Sequence, residues 1–284
     1  NRICMGNQPE MNPSFAYFQF EAWTDPGYVR SNNEDSYAIL PEDGCGLVAD
    51  GMGGGSAGEL ASQIVEDRIT EAITGTAADS PGLRKCNVQQ AILRANREIF
   101  EYAKLHNFLQ MGSTLALFLA DSWNPQNAWL CHVGDSRIYR WRNGELALLT
   151  HDHSIGMEFD KLGIKALEHI PAARLLTRAI GVSGAIIPEW TEIEVCPEDR
   201  FLLCSDGLTS MCPDSVIAEA FQRNTDSSAV IQHLVRKIQA AGAKDNFTMI
   251  CCSTASILPA MLPQEEDAAA ENRYLLKTSE ERID

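Results

Sequence analysis

The stretch Asp35-Ser-Tyr-Ala-Ile-Leu40-Pro41-Glu-Asp-Gly44-Cys45-Gly-Leu-Val-Ala49-Asp50-Gly-Met-Gly-Gly-Gly-Ser-Ala-Gly58 sets the reading of this 284-residue chain. Two short apolar runs, 35–40 and 45–49, flank the turn cluster Pro41–Gly44 and are predicted strands. The second runs straight into a loop from Asp50 to Gly58 that is too glycine-rich for regular structure. Beyond it, Leu60, Ile64, Ile69 and Ile73 fall close to helical spacing, and Val88, Ile92, Ala95, Ile99 and Ala103 step by four, three, four and four. Asp79-Ser-Pro81-Gly marks the break between these helices. Two strands followed by two consecutive helices are not the strict strand–helix alternation of a Rossmann-type parallel sheet.

Outward from this stretch the pattern is consistent. Residues 15–23 alternate apolar and polar as a half-buried strand does. Strands resume at 113–120, 128–133, 137–141 and 146–149, with Asn143-Gly144 a strong type I′ hairpin turn. Residues 157–167 read as a helical or irregular excursion. Strands at 192–195 and 200–204 precede helices at 213–221 and 227–241, the latter with Asp226 as N-cap and Gly242 past its end. A last apolar strand spans 247–253. The expected class is therefore α+β, with antiparallel sheets packed on each other and helices outside.

The formal charge of −16 argues against nucleic acid or an anionic membrane as partner, because no excess of cations exists to displace phosphate counterions. It suits a protein that holds divalent cations. No apolar run approaches the ~20 residues of a membrane span, and no basic-then-apolar leader opens the chain. The nine cysteines are scattered, with no Cys-x-x-Cys pair, and are expected as buried thiols in a reducing cytosol. His151 and His153 could pair on one face of a strand. With only Asp152 beside them and no third nitrogen or sulfur ligand nearby, they are read as structural.

Asp50, Asp135, Asp206 and Asp245 stand out, each in a polar or glycine-rich turn beside an apolar strand, and Glu34-Asp35 opens another. A carboxylate at the rim of a buried strand is held by rigid backbone yet still reaches solvent. An adjacent glycine lets a carbonyl approach a ligand closely. Hard cations such as magnesium and manganese take oxygen ligands of this kind. Asp-Gly is also ordinary turn chemistry, and spacing alone leaves both readings open.

The ordered set Asp25-Pro-Gly-Tyr-Val-Arg30-Ser-Asn-Asn-Glu34-Asp35, Val48-Ala-Asp50-Gly-Met-Gly-Gly54, Gly112-Ser-Thr-Leu115, Val133-Gly-Asp135-Ser-Arg-Ile-Tyr139, Leu149-Thr-His-Asp152-His-Ser154, Leu176-Thr-Arg-Ala-Ile-Gly181, Leu203-Cys-Ser-Asp206-Gly-Leu208 and Asp245-Asn-Phe-Thr248 resembles the metal-dependent type 2C (PPM) serine/threonine protein phosphatases, in particular their bacterial branch. The resemblance spans roughly residues 20–253. It implies a four-layer αββα sandwich, two antiparallel β-sheets flanked by helices. A catalytic domain is expected over 1–261 with a flap at about 155–176, and residues 262–284 form an acidic tail. The activity implied is hydrolysis of phosphoserine and phosphothreonine by a metal-activated water, in the cytoplasm, by a monomer acting on phosphorylated proteins and opposing a bacterial Ser/Thr kinase.

By the same resemblance Asp50 bridges two manganese or magnesium ions, and the Gly51 carbonyl binds one of them. Asp206 and Asp245 complete the first ion's ligands, while Glu34 and Asp35 hold metal-bound waters. Asp135 with Asp206 corresponds to a third, weaker ion, and Arg30 grips the substrate phosphate. The chemistry is self-consistent: paired ions acidify a water and aim it in line with the leaving alkoxide, and an Arg fork matches phosphate oxygens. Two departures stand out. Gly55 replaces the histidine usual after Gly-Met-Gly-Gly, which predicts slower turnover. The flap is short and lacks the usual Gly-x-Ile-Thr. Two rival readings are a non-catalytic relative that binds phosphoproteins and a structural cation-binding protein.

Overall fold

The computed structural model describes residues 18–163 and 171–254; the predicted tail and the middle of the flap lie outside them. One antiparallel sheet has the order β1 (Phe18–Asp25), β11 (Phe247–Thr254), β10 (Arg200–Cys204), β7 (Arg137–Arg142), β8 (Glu145–Leu148). The other runs β2 (Asp35–Leu40), β3 (Cys45–Met52), β5 (Leu115–Ala120), β6 (Asn127–Val133), β9 (Glu189–Glu194), with the short β4 (Gly112–Ser113) paired to the end of β3. Helices α1 (Ser56–Ile73) and α2 (Pro81–His106) cover the second sheet. A short α3 (Ile155–Lys161) follows β8, α4 (Asp206–Thr209) follows β10, and α5 (Asp214–Arg223) and α6 (Ser227–Ala240) cover the first sheet. This is the four-layer arrangement the sequence predicts.

The central strands are apolar throughout because both of their faces are buried. Along β5, Leu115, Leu117 and Leu119 pack under α1 and α2, while Ala116, Phe118 and Ala120 point between the sheets. On β10, Leu202 and Cys204 meet α5 and α6, while Phe201 and Leu203 point inward. Side chains alternating across a strand make this division automatic. Phe118 anchors the inter-sheet layer, with ring centroids 5.3 Å from Phe18 and 5.1 Å from Phe201. Truncating such a residue to Ala costs about 3–5 kcal/mol. The cysteines among the described residues are all free thiols, six of them buried.

Several boundaries shift from the sequence reading, β1 to Phe18–Asp25, β9 to Glu189–Glu194 and α3 to Ile155–Lys161 among them, and two shifts have a clear physical reason. α2 begins at Pro81, where a break is expected; proline lacks a donor the first turn does not need, and the Ser80 hydroxyl accepts from the Leu83 N–H at 3.3 Å. β3 continues to Met52 instead of ending at Ala49, because Gly51 and Met52 pair with Ser113 and Gly112. Asp50 therefore sits inside a strand, directly opposite Asp35.

Candidate active site

Antiparallel neighbours bring the start of one strand beside the end of the next. The starts of β2 and β5 and the ends of β3 and β6 thus share one edge of their sheet, as do the end of β10 and the start of β11 in the other. At this edge lies a cavity of about 1100 Å³. Every residue that the resemblance assigns to the site lines it: Arg30, Glu34, Asp35, Asp50, Gly51, Asp135, Asp206 and Asp245.

Backbone contacts hold the carboxylates in place. The Asp50 N–H donates to Thr114 Oγ1 at 2.9 Å, and its carbonyl accepts from the Thr114 N–H at 2.8 Å. Thr114 Oγ1 in turn lies 2.6 Å from Ser136 Oγ, beside Asp135. Gly51 has no room for a side chain, since a Cβ there would overlap the Gly58 carbonyl at the start of α1. Asp206 opens α4 directly after β10. Ser205 Oγ, just before it, donates to Asp35 Oδ2 at 2.8 Å and so joins the two sheets.

The electrostatics are one-sided. Burial pushes the Asp35 carboxyl up to about 7, against the hydrogen bonds from Thr248 and Ser205. Burial, then Asp206 and Asp152, pushes Asp135 to about 7. Asp50 is raised by burial and by Asp35, Asp206, Asp135 and Asp245 together, and Asp206 by burial and Asp245. Arg30 pairs with Asp245 through Nε and Nη2, at 2.8 and 3.0 Å, which raises the guanidinium further above its ordinary value and leaves its Nη1 side to meet another anion. So much carboxylate in one half-buried space is stable only protonated or with cations among the oxygens. An all-oxygen donor set fits a hard divalent ion.

Glu34 is held differently from the rest. Its Oε1 accepts from the Gly55 N–H at 2.8 Å and its carbonyl accepts from Gly51 N and Ser62 Oγ, so it anchors the glycine loop as well as facing the cavity. Gly55 itself has φ 59 and ψ −128, the mirror image of extended backbone, which a side chain disfavours.

Sequence reasoning gave no role to Asn246. It is buried; its Oδ1 accepts from the Glu34 N–H at 2.9 Å and its Nδ2 donates to the carbonyls of Pro26 and Asn32, at 3.0 and 2.9 Å. It therefore clasps the loop carrying Arg30. A polar residue opening an apolar strand was the available clue. Arg174, on a 3-10 turn at Pro171–Arg174, was also missed; it faces the cavity near Asp206. The wall beyond it runs past the predicted flap to Ile187.

A protein phosphatase 2C family model matches residues 28–250. Serine/threonine phosphatase stp of Listeria innocua is 32% identical over 237 residues, covering 80% of this chain and 92% of that protein. PstP of Mycobacterium tuberculosis is 35% identical over 240 residues, 82% of this chain and 44% of the relative. Among solved structures, PppA of Pseudomonas aeruginosa superimposes with a TM-score of 0.75 at 32% identity, covering 84% of this chain and 98% of that one. The catalytic domain of PstP in complex with two manganese ions does so with a TM-score of 0.71 at 30% identity, covering 84% and 99%. The chain belongs to the protein phosphatase 2C family.

Proposed function

We propose that this chain is a manganese- or magnesium-dependent phosphatase that hydrolyses phosphoserine and phosphothreonine on proteins. The observation that carries the proposal is the convergence of Asp35, Asp50, Asp135, Asp206 and Asp245 with Arg30 on one cavity. Asp50 and the Gly51 carbonyl, with Asp206 and Asp245, hold two ions; Asp135 with Asp206 is the place for a third. Bound there, the ions supply Lewis acidity toward a water molecule and the phosphoryl oxygens.

The chain's own residues do the remaining work. Asp35, fixed by Ser205, and Glu34, fixed through Gly55, orient water at the cavity floor. The Arg30 side chain is 48% exposed and presents a planar fork to phosphate oxygens at the mouth. Its pairing with Asp245 sets the fork's direction. No nucleophilic side chain is required, and the buried Cys204 thiol, pushed up to about 12 by burial, is inert.

The phosphatase domain extends over residues 1–261, and the protein works as a cytoplasmic monomer opposing a Ser/Thr kinase. Among the described residues no helix is long and apolar enough to cross a membrane.

The test is manganese-dependent release of para-nitrophenol from its phosphate, and of phosphate from a phosphothreonine peptide. Asp206→Asn should abolish both. Activity that persists in chelator or survives that substitution would overturn the mechanism. Peptide binding without turnover would mark a phosphoprotein binder instead.

A further inference from the structure

The cavity does not end at its carboxylates. Past the expected flap, Val182, Ala185 and Ile187 line the same space as Asp50 and Asp206. In a chain of net charge −16, residues 179–188 carry no charged side chain at all. Ile187 is 80% exposed and Val182 49% exposed, whereas Ile186 beside them packs into the core with residues of α1 and α2. Exposed apolar side chains are ordinary when scattered. Two of them bordering one cavity, on a segment without charge, mark a surface that something covers.

The segment is held firmly from behind. The Ser113 N–H donates to the Ile180 carbonyl at 2.9 Å, and the Ile180 N–H to the Ser113 carbonyl at 2.8 Å. Asn96, buried on α2, accepts from the Gly181 N–H through Oδ1 at 2.8 Å and donates through Nδ2 to the Ser183 carbonyl at 3.0 Å. Gly181 has φ 91, and a Cβ there would strike Ile99. Backbone polar groups are thus spent on the protein side, and a wall fixed in advance loses little freedom when a ligand covers it. Its place relative to the carboxylates is fixed too. Gly51 pairs with Ser113 and Ser113 with Ile180, so Ile180 stands two strand spacings from Gly51, roughly 10 Å.

We propose that Val182 and Ile187 form an apolar subsite for a substrate residue about three positions from the phosphoserine or phosphothreonine. The inference rests on the phosphatase reading of the carboxylate cavity, which fixes where the phosphate sits. Covalent continuity then carries the flanking residues along this wall, since extended chain covers about 3.3 Å per residue. An aliphatic or aromatic side chain suits the wall because its burial removes apolar surface of both partners from water. A polar or charged one would lose its hydration and find no partner on residues 179–188. The preferred substrates are therefore phosphorylated segments with an apolar residue at that distance.

The experiment uses the full chain in manganese and phosphothreonine peptides that differ only in Leu or Asn at the third residue, before or after the phosphothreonine. Both kcat/KM and calorimetric binding are measured, so the subsite is tested even where turnover fails. Para-nitrophenyl phosphate, which has no flanking residues, reports on the metal centre alone; its failure bears on the phosphatase reading and not on the wall. On one side of the phosphothreonine the wild type should favour Leu over Asn about tenfold. Ile187→Ser should bring that ratio to about three or less, and Ile187→Leu should keep it. Equal treatment of Leu and Asn on both sides by the wild type would overturn the proposal. So would a preference that survives Ile187→Ser, or one lost in Ile187→Leu as fully as in Ile187→Ser.

Discussion

Stripping divalent ions from this protein should make its stability fall steeply as pH rises through the weakly acidic range, with Asp135 carrying a measurable share. Burial, with Asp206 and Asp152 beside it, raises that carboxyl from 3.8 to about 7. A carboxyl raised in this way binds its proton more tightly in the folded chain than in the unfolded one. Its contribution is complete below the unfolded value, begins to be lost as the unfolded chain ionises, and is gone once pH passes about 7. Between about pH 5 and 7 that is roughly two units at about 1.4 kcal/mol each, hence about 3 kcal/mol. For a domain of this size the melting temperature should drop on the order of 10 °C. Asp35, also raised to about 7, acts in the same direction. Divalent ions compete with protons for the same oxygens, so manganese should flatten the profile and stabilise most at high pH. Thermal melts across this range, in chelator and in manganese, for wild type and Asp135→Asn, measure the effect. A chelated wild type equally stable at both ends would refute the reasoning, as would an Asp135→Asn profile superimposable on it.

Asn246→Ala should destabilise the fold by about 3 kcal/mol, because it leaves the Glu34 N–H and two carbonyls without their partner. It should also lower kcat/KM at least tenfold by loosening the Arg30 loop; urea melts and steady-state kinetics check both, and a variant with unchanged kcat/KM would dissociate the clasp from function. Gly55→His should cost about 1–3 kcal/mol, read as a lowered melting temperature, since φ 59 with ψ −128 strains any side chain. An unchanged melting temperature would show that the loop relaxes at no cost.

The residues of β10 were legible because a run apolar on both faces declares a strand buried between layers, whatever lies beside it. Asn143 and Gly144 likewise adopt positive φ, 53 and 84, as their hairpin chemistry predicts. The end of β3 was not legible. Whether Gly51 and Met52 belong to a strand depends on Ser113 and Gly112, some sixty residues on, which no local pattern reports. The helix break at Pro81 shows a different limit, since proline reads as an ending unless the cap before it is weighed.

At the site, the sequence by itself determined the residue types: carboxylates at the rims of apolar strands, their glycines, and one arginine in a loop. Periodicity and turn chemistry depend on near neighbours, so they survive without a fold. Only the tertiary structure decided which groups meet: Asp35 opposite Asp50, Arg30 clamped on Asp245, Asn246 beneath the Arg30 loop, and His132 rather than His151 beside His153. Those meetings are set by strand register, and register follows from burying one face of each sheet against residues distant in the chain.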